Sequence, residues 1–304
     1  MWKQKDADRM LVEIAVAATI LFAFLTTKMR RNSMYINFLF VITVSSSLYL
    51  YSLRLNVHLY NLPLLFYKRI FDGTDQRYCL LLFYWICIIA TLLFCIVVNH
   101  SSHSSTVHRK FFHLTISLIC ITGIQYDFEL IWLFAWLMLC VFVIIEVFRS
   151  KCVTPWSTYL NNWLLIFVDK QDSPELILTP IYLLAGIFLP LFLSPINNNE
   201  YRHLYHFAGV ATVGVGDSMS AIVGSRYGRL YWPKSAKTAE GSVAFAICQF
   251  IFSILICLCY LEYDIGIYRL LRILFCSVIC AIFEAGLPAM DNIILPVIAY
   301  LILF

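Results

Sequence analysis

Apolar runs of membrane-spanning length recur from one end of this chain to the other, and that pattern leaves few folds open. Predominantly apolar segments, separated by charged or proline-bearing loops, fall near residues 10–27, 34–53, 78–98, 111–123, 130–148, 176–193, 204–223, 243–261, 268–283 and 292–304. A helix needs roughly 20 such residues to cross hydrocarbon, and a backbone in lipid must satisfy its own hydrogen bonds, which favours helices. Hydrophobic side chains make up 61% of the 304 residues and charged ones only 13%, against about 25% charged in soluble chains. The pattern predicts an all-α polytopic membrane protein, a bundle of about nine or ten transmembrane helices. Arg269, Arg272, Glu284 and Asp291 interrupt the last two segments.

The run from Met10 to Thr27 follows Lys3, Lys5 and Arg9 and has no small-residue cleavage site. It reads as a true span or a signal anchor rather than a removed signal peptide. The eleven cysteines include no CxxC pair, and Cys248, Cys257, Cys276 and Cys280 lie inside apolar segments. Buried free thiols are expected there.

Loop charge orients the chain. Between residues 99 and 268, Arg109, Lys110, Arg149, Lys151, Lys170, Arg226, Arg229, Lys234 and Lys237 fall on one side, and Arg202 alone on the other. By the positive-inside rule the side with nine faces the cytosol. Arg54, Lys68, Arg69 and Arg77, in the first hundred residues, fall on the opposite side and leave that part ambiguous. The one sequon, Asn99-His100-Ser101, is then on the cytosolic side and predicted unused.

One stretch is unlike the rest. From Gly214 to Ser242 the chain leaves a small-residue apolar helix, passes Asp217, and enters a loop with Arg226, Arg229, Lys234 and Lys237. It closes on Lys237-Thr238-Ala239-Glu240-Gly241-Ser242. Cations, hydroxyls, an acid and glycines at a membrane edge suit a polyphosphate with a metal ion. Asp217 reads either as the cap of a helix starting at Ser218 or as a metal ligand or base, acids in apolar segments being expensive. The surrounding glycines and alanines serve close helix packing on either reading. The loop cations alone would suit anionic lipid; with Thr238, Glu240, Gly241 and Ser242 they favour a phosphate site, where a helix N-terminus offers amides to an anion.

Three more polar groups fall near the same side. His108-Arg109-Lys110 and His113 open a span, either as an interfacial basic cluster or as phosphate ligands. Glu146 and Arg149 share a helix face and read as a structural ion pair. Glu284 and Asp291 flank Gly286 and Pro288, which predict a broken helix, and two acids there call for a partner such as a metal. There is no GxxxxGK[ST] loop, no protein-kinase signature set and no GxSxG elbow.

These residues resemble those of the dolichol kinases, within the wider group of CTP-dependent polyprenol and lipid kinases. The resemblance rests on Arg109-Lys110-Phe111-Phe112-His113; on Leu178-Thr179-Pro180 through Gly186, with Pro190-Leu191; on Gly216-Asp217 through Gly224-Ser225, Gly228, Trp232-Pro233 and Lys237 to Ser242; and on Glu284-Ala285, Asp291-Asn292 and Pro296. It covers residue 99 to the end, and residues 1–98 match only as membrane spans. It implies N-terminal helices over 1–98 and a catalytic membrane domain over 99–304, with a cytosolic CTP-binding loop at about 224–242.

The implied activity is phosphoryl transfer from CTP to dolichol in the endoplasmic reticulum membrane, with a divalent cation, Mg or Ca. Asp217, Lys237 and Asp291 are the expected catalytic residues. Arg109, Lys110, His113, Gly228, Arg229, Pro233, Lys234, Lys237, Thr238, Glu240, Gly241 and Ser242 are expected to bind the nucleotide, and Asp217, Glu240 and Asp291 the metal. The partners are the polyprenol and the membrane, and no soluble basic face exists for nucleic acid. The alternatives are a phytol or diacylglycerol kinase, a cytidylyltransferase making a CDP-lipid, and a non-catalytic transporter or scaffold. Acids at 217, 240, 284 and 291 speak against the last, since anionic lipid needs only cations.

Overall fold

A computed structural model of the chain describes residues 4–28, 32–73, 75–100, 106–164, 172–173, 175–194, 202–233, 235–261, 266–287 and 290–304. Among the described residues there is no strand, only two isolated bridges. The long helices are α1 (Gln4–Lys28), α2 (Ser33–Leu55), α4 (Asp75–His100), α5 (Thr106–Tyr126), α6 (Phe128–Ser150), α10 (Ala239–Cys259) and α11 (Ile267–Gly286), with α8 (Thr179–Leu193) and α12 (Asp291–Leu303) shorter. A further continuous helix begins with a 3₁₀ turn (Leu204–Phe207), passes through a π-helical stretch (Val210–Gly216) and ends as α9 (Asp217–Tyr227). Each expected span therefore has its helix. Among the described residues six helices, against the nine or ten spans expected, are long and apolar enough to cross a membrane, and the chain is an all-α polytopic membrane protein. Two short helices were not expected, α3 (Leu62–Phe71) and α7 (Trp156–Leu164).

Contacts sort the helices into two compact units, neither a single stretch of chain: Met1–Phe83 with Glu129–Ile181, and Tyr84–Phe128 with Tyr182–Phe304. Residue 98, where the sequence reading divides the chain, lies within α4.

The first unit holds α1, α2, α3, α7 and nearly all of α6. Phe22, Phe40 and Phe148 meet edge-on with ring centroids 5.1–6.0 Å apart, a geometry that adds to simple area burial. A second cluster joins Ala7, Ile14, Tyr51, Leu55 and Leu62. Two ion pairs are buried among these helices. Arg69 on α3 donates Nε to both carboxylate oxygens of Asp8 on α1, at 3.0 and 2.8 Å. Arg149 donates Nε and Nη2 to Glu146 at 2.8 and 2.6 Å, and Glu146 also accepts the Ile177 amide at 2.8 Å. Asp172 then caps α8, accepting from the Leu178 and Thr179 amides and the Thr179 hydroxyl. The outward faces are apolar, as at Met34, Phe38 and Val41 of α2.

The second unit is built around the helix from Leu204 to Tyr227. In its most apolar stretch 61% of residues are buried, against 17–33% in the other five candidate spans. Small residues make this possible. A Cβ on Gly214 would lie 2.1 Å from Ser117 Oγ of α5, and one on Gly216 would lie 2.7 Å from the Phe245 ring of α10. Neighbouring side chains thus pack directly onto the backbone of this helix at Gly214 and Gly216. The α11 helix stops at Gly286 and α12 starts at Asp291, the break expected from Gly286 and Pro288. Pro288 itself lies outside the described residues. All eleven cysteines are free; Cys257, Cys276 and Cys280 are buried, while Cys248 is only half-buried.

The Glu146–Arg149 pair predicts a sharp stability signature. Glu146→Ala leaves Arg149 and the Ile177 amide facing a void and should cost about 3–5 kcal/mol. Replacing both residues by Leu and Met should recover most of that, since a buried pair is seldom better than apolar packing. Thermal unfolding in detergent decides it; equal loss in the single and double variants would contradict this account.

Candidate functional site

Asp217 sits where the π-helical stretch of the central helix becomes α9. Its backbone is helical (φ −63°, ψ −34°) and its side chain makes no cap hydrogen bond. Asp217 is therefore not the cap of a helix beginning at Ser218. Its carboxylate turns to α5, where Lys110 Nζ donates to Oδ2 and His113 Nε2 stands 3.5 Å from the same oxygen. Lys110, His113 and Ser117 are three and four residues apart, so one face of α5 meets the central helix. π-helical turns recur at functional sites, and this one delivers an acid to a lysine and a histidine.

One turn further along α9, about 4.5 Å by the helical rise, Ser220 marks a second cluster. Its hydroxyl donates to Glu284 Oε1 of α11 at 3.3 Å. Lys237 Nζ lies 3.1 Å from the same oxygen and 3.0 Å from Asp291 Oδ2, and donates to the Glu284 main-chain oxygen at 2.7 Å. The break between α11 and α12 is what lets two acids seven residues apart converge on one ammonium. Burial lowers the pKa of Lys237, but the carboxylates of Asp291 and Glu284 outweigh it and hold the ammonium above its ordinary value. Lys237 therefore stays charged through neutral pH.

The connection from α9 to α10 is a small clasp. Tyr231 and Thr238 form a bridge, Ala239 N donates to Leu230 O at 2.8 Å, and Trp232 N to Lys237 O at 3.0 Å. Gly228 must be glycine, because a Cβ there would lie 2.3 Å from Gly224 O and 2.5 Å from Thr238 Cγ2. Thr238 caps α10, its hydroxyl oxygen accepting the Gly241 amide at 3.2 Å. Ser242 accepts the Trp232 indole N–H at 3.1 Å.

Several expected site residues take unexpected places. Glu240, expected on a metal, accepts the amides of Arg229 and Leu230 at 3.0 and 3.2 Å and braces the clasp. The amides of Ala239, Gly241 and Ser242 are all taken up by Leu230 and Thr238. Capping thus fills the anion site expected at this helix start. Arg229 and Pro233 are exposed on the clasp. Arg109 lies one position before Lys110 on α5, its side chain outside the description, and Lys234 lies outside the described residues. Glu284, expected with Asp291 to call for a partner such as a metal, meets Lys237 and Ser220. Ser220 carried no signal beyond its place one turn from Asp217.

The constellation offers two lysines, a histidine and three carboxylates where the central helix meets the clasp. Ammonium and carboxylate groups are of the kind that pair with phosphates and with hard cations.

Comparison with known proteins bears on what uses it. The dolichol kinase family model matches residues 7–263, so it takes in the first hundred residues and ends before Glu284. Dolichol kinase of Homo sapiens is 36% identical over 261 residues, covering 79% of this chain and 47% of that protein. The Bos taurus enzyme is 35% identical with the same coverage, and that of Mus musculus 32% identical, covering 79% and 48%. The chain spans about half the length of the curated relatives it matches. No solved structure matches it. With a family match running through most of its length, this chain belongs to the dolichol kinase family.

Proposed function

We propose that this chain is a CTP-dependent dolichol kinase of the endoplasmic reticulum membrane, its site facing the cytosol. It transfers the γ-phosphoryl group of CTP to the terminal hydroxyl of dolichol. The products are CDP and dolichyl phosphate, a lipid carrier for N-glycosylation and related glycan pathways. The observation that carries this reading is the pairing of Lys110 with Asp217 and of Lys237 with Glu284 and Asp291, one helical turn apart. Family membership names the acceptor.

Phosphoryl transfer asks a protein mainly for positioning and charge neutralisation. Lys110 and Lys237 take the phosphate charge, and Arg109, His113, Arg229 and Lys234 are further candidates for it. Gly228 and Pro233 shape the clasp, and Thr238, Glu240, Gly241 and Ser242 hold it on α10. The alcohol oxygen forms a bond to the γ-phosphorus as the bond to the β–γ bridging oxygen breaks. The alcohol proton passes to Asp217. An isoprenoid tail stays in hydrocarbon while its hydroxyl reaches a site at the membrane edge.

The donor chemistry fits a hard divalent cation, Mg or Ca. Asp217 and Asp291 present carboxylate oxygens that already hold ammonium groups, and their side chains are 13% and 15% exposed. Among the described residues no three His, Cys, Asp or Glu side chains are grouped to enclose a metal. That suits an ion held by one or two carboxylates and completed by substrate phosphates. When bound, such a cation neutralises charge developing on the transferred group.

The test uses protein purified in detergent with γ-labelled CTP or ATP and, in turn, dolichol, phytol and diacylglycerol. Label should pass from CTP to dolichol and little from ATP. Asp217→Asn and Lys237→Ala should lower kcat at least about a hundredfold while the protein remains folded and inserted. Full activity in either variant would remove that residue from the site. Label on another alcohol would change the substrate, and release of pyrophosphate with a CDP-lipid would replace the reaction.

Orientation has its own test. Ala236→Cys, in a background with the exposed Cys79, Cys152 and Cys259 replaced by Ser, should react with an impermeant maleimide from the cytosolic side. Labelling from the lumen alone would reverse the topology.

A further inference from the structure

Lys237 stands between two acids that the fold treats very differently. Glu284, near the end of α11, is 2% exposed. Its Oε1 accepts the Ser220 hydroxyl of α9 at 3.3 Å, and its Oε2 stands 3.5 Å from the Ser242 hydroxyl of α10. Lys237 reaches both its carboxylate, at 3.1 Å, and its main-chain oxygen, at 2.7 Å. Turning this carboxylate toward a metal would strand the buried Ser220 hydroxyl and break the grip on Lys237, while the Ser242 hydroxyl would keep the Thr238 main-chain oxygen at 3.3 Å. Buried donors left without an acceptor are costly.

Asp291 is held by much less. It opens α12 directly after Met290, whose left-handed backbone (φ 61°) makes the corner. Its Oδ2 meets Lys237 at 3.0 Å, and its Oδ1 accepts the neighbouring Asn292 amide at 3.0 Å. Replacing the ammonium at Oδ2 by a divalent cation leaves the Asn292 bond in place. Lys237 meanwhile keeps Glu284.

We propose that the two acids divide the work: Glu284 is a positioning residue that fixes Lys237 for the nucleotide phosphates, and Asp291 is the carboxylate that exchanges Lys237 for the metal. This rests on the reading of the site as a metal–nucleotide centre. In that centre Lys237 moves from two carboxylates to one carboxylate and a phosphate, so its charge stays paired throughout. Glu284 is then structural support at the site with a consequence for nucleotide affinity, and not a metal ligand.

Binding measurements on the detergent-purified full chain separate the roles. CTP affinity is measured at saturating Mg²⁺, and the Mg²⁺ concentration giving half-maximal CTP binding is measured separately, with thermal stability alongside. Glu284→Gln should weaken CTP binding about tenfold or more, with the half-maximal Mg²⁺ concentration unchanged within about twofold. Glu284→Asp should recover part of the affinity. Asp291→Asn should do the reverse, raising the Mg²⁺ requirement about tenfold or more while CTP affinity at saturating Mg²⁺ holds within about threefold. If Glu284→Gln fails to fold, Ser220→Ala with Ser242→Ala loosens the same carboxylate and should show the same signature more weakly. A raised Mg²⁺ requirement in the Glu284 or serine variants, or none in Asp291→Asn, overturns the division. Absence of CTP binding in the unsubstituted protein overturns the functional reading and this inference with it.

Discussion

A carboxylate on an apolar helix is tolerable only with a cation beside it, and the second unit is arranged around that requirement at Asp217. The central helix is the most buried of the candidate spans, so its acid must find a partner inside the bundle. Lys110 and His113 supply it from α5. The approach needs Gly214 and Gly216, since a Cβ at either would strike α5 or α10. The same economy governs Glu284, with Lys237 and two serines around it. Each acid is neutralised by an ammonium group, and in the proposed function those same groups meet the nucleotide phosphates.

The described residues of the first unit obey the same rule. Asp8–Arg69 and Glu146–Arg149 are closed, bidentate or nearly so, and buried on both sides. Their closure also explains why loop charge reads ambiguously in the first hundred residues. Arg69 is neutralised by Asp8, and Arg77 donates to the main-chain oxygen of Asp72 at 2.8 Å. Arg69 is therefore not a bare positive charge at a membrane surface, whereas Arg77 keeps its charge. Arg149, counted among the cytosolic cations, is likewise neutralised by Glu146.

Spans, the break at Gly286 and the crowding of polar groups around 214–242 were legible because they follow from local composition. Partners were harder to read. Nothing in the spacing of Asp8 points to Arg69, 61 positions away, and α3 and α7 are too short and mixed for a hydropathy run. The π-helical stretch has no composition that separates it from an ordinary small-residue helix. Glu240 reads as a ligand because it is an acid three residues after a lysine in a phosphate-like motif, and its reach to two loop amides from the first turn of α10 is visible only in the fold. Glu284 was visible as a costly acid, but only the fold shows it held by Ser220 and Ser242.

The most direct test of the central claim is a structure of the full chain with Mg²⁺ and a non-hydrolysable CTP analogue. The account predicts the analogue's phosphates on Lys110 and Lys237, the Lys110–Asp217 and Lys237–Asp291 contacts opened, and Lys237–Glu284 retained. Nucleotide bound elsewhere, with both lysines still on their acids, would contradict it.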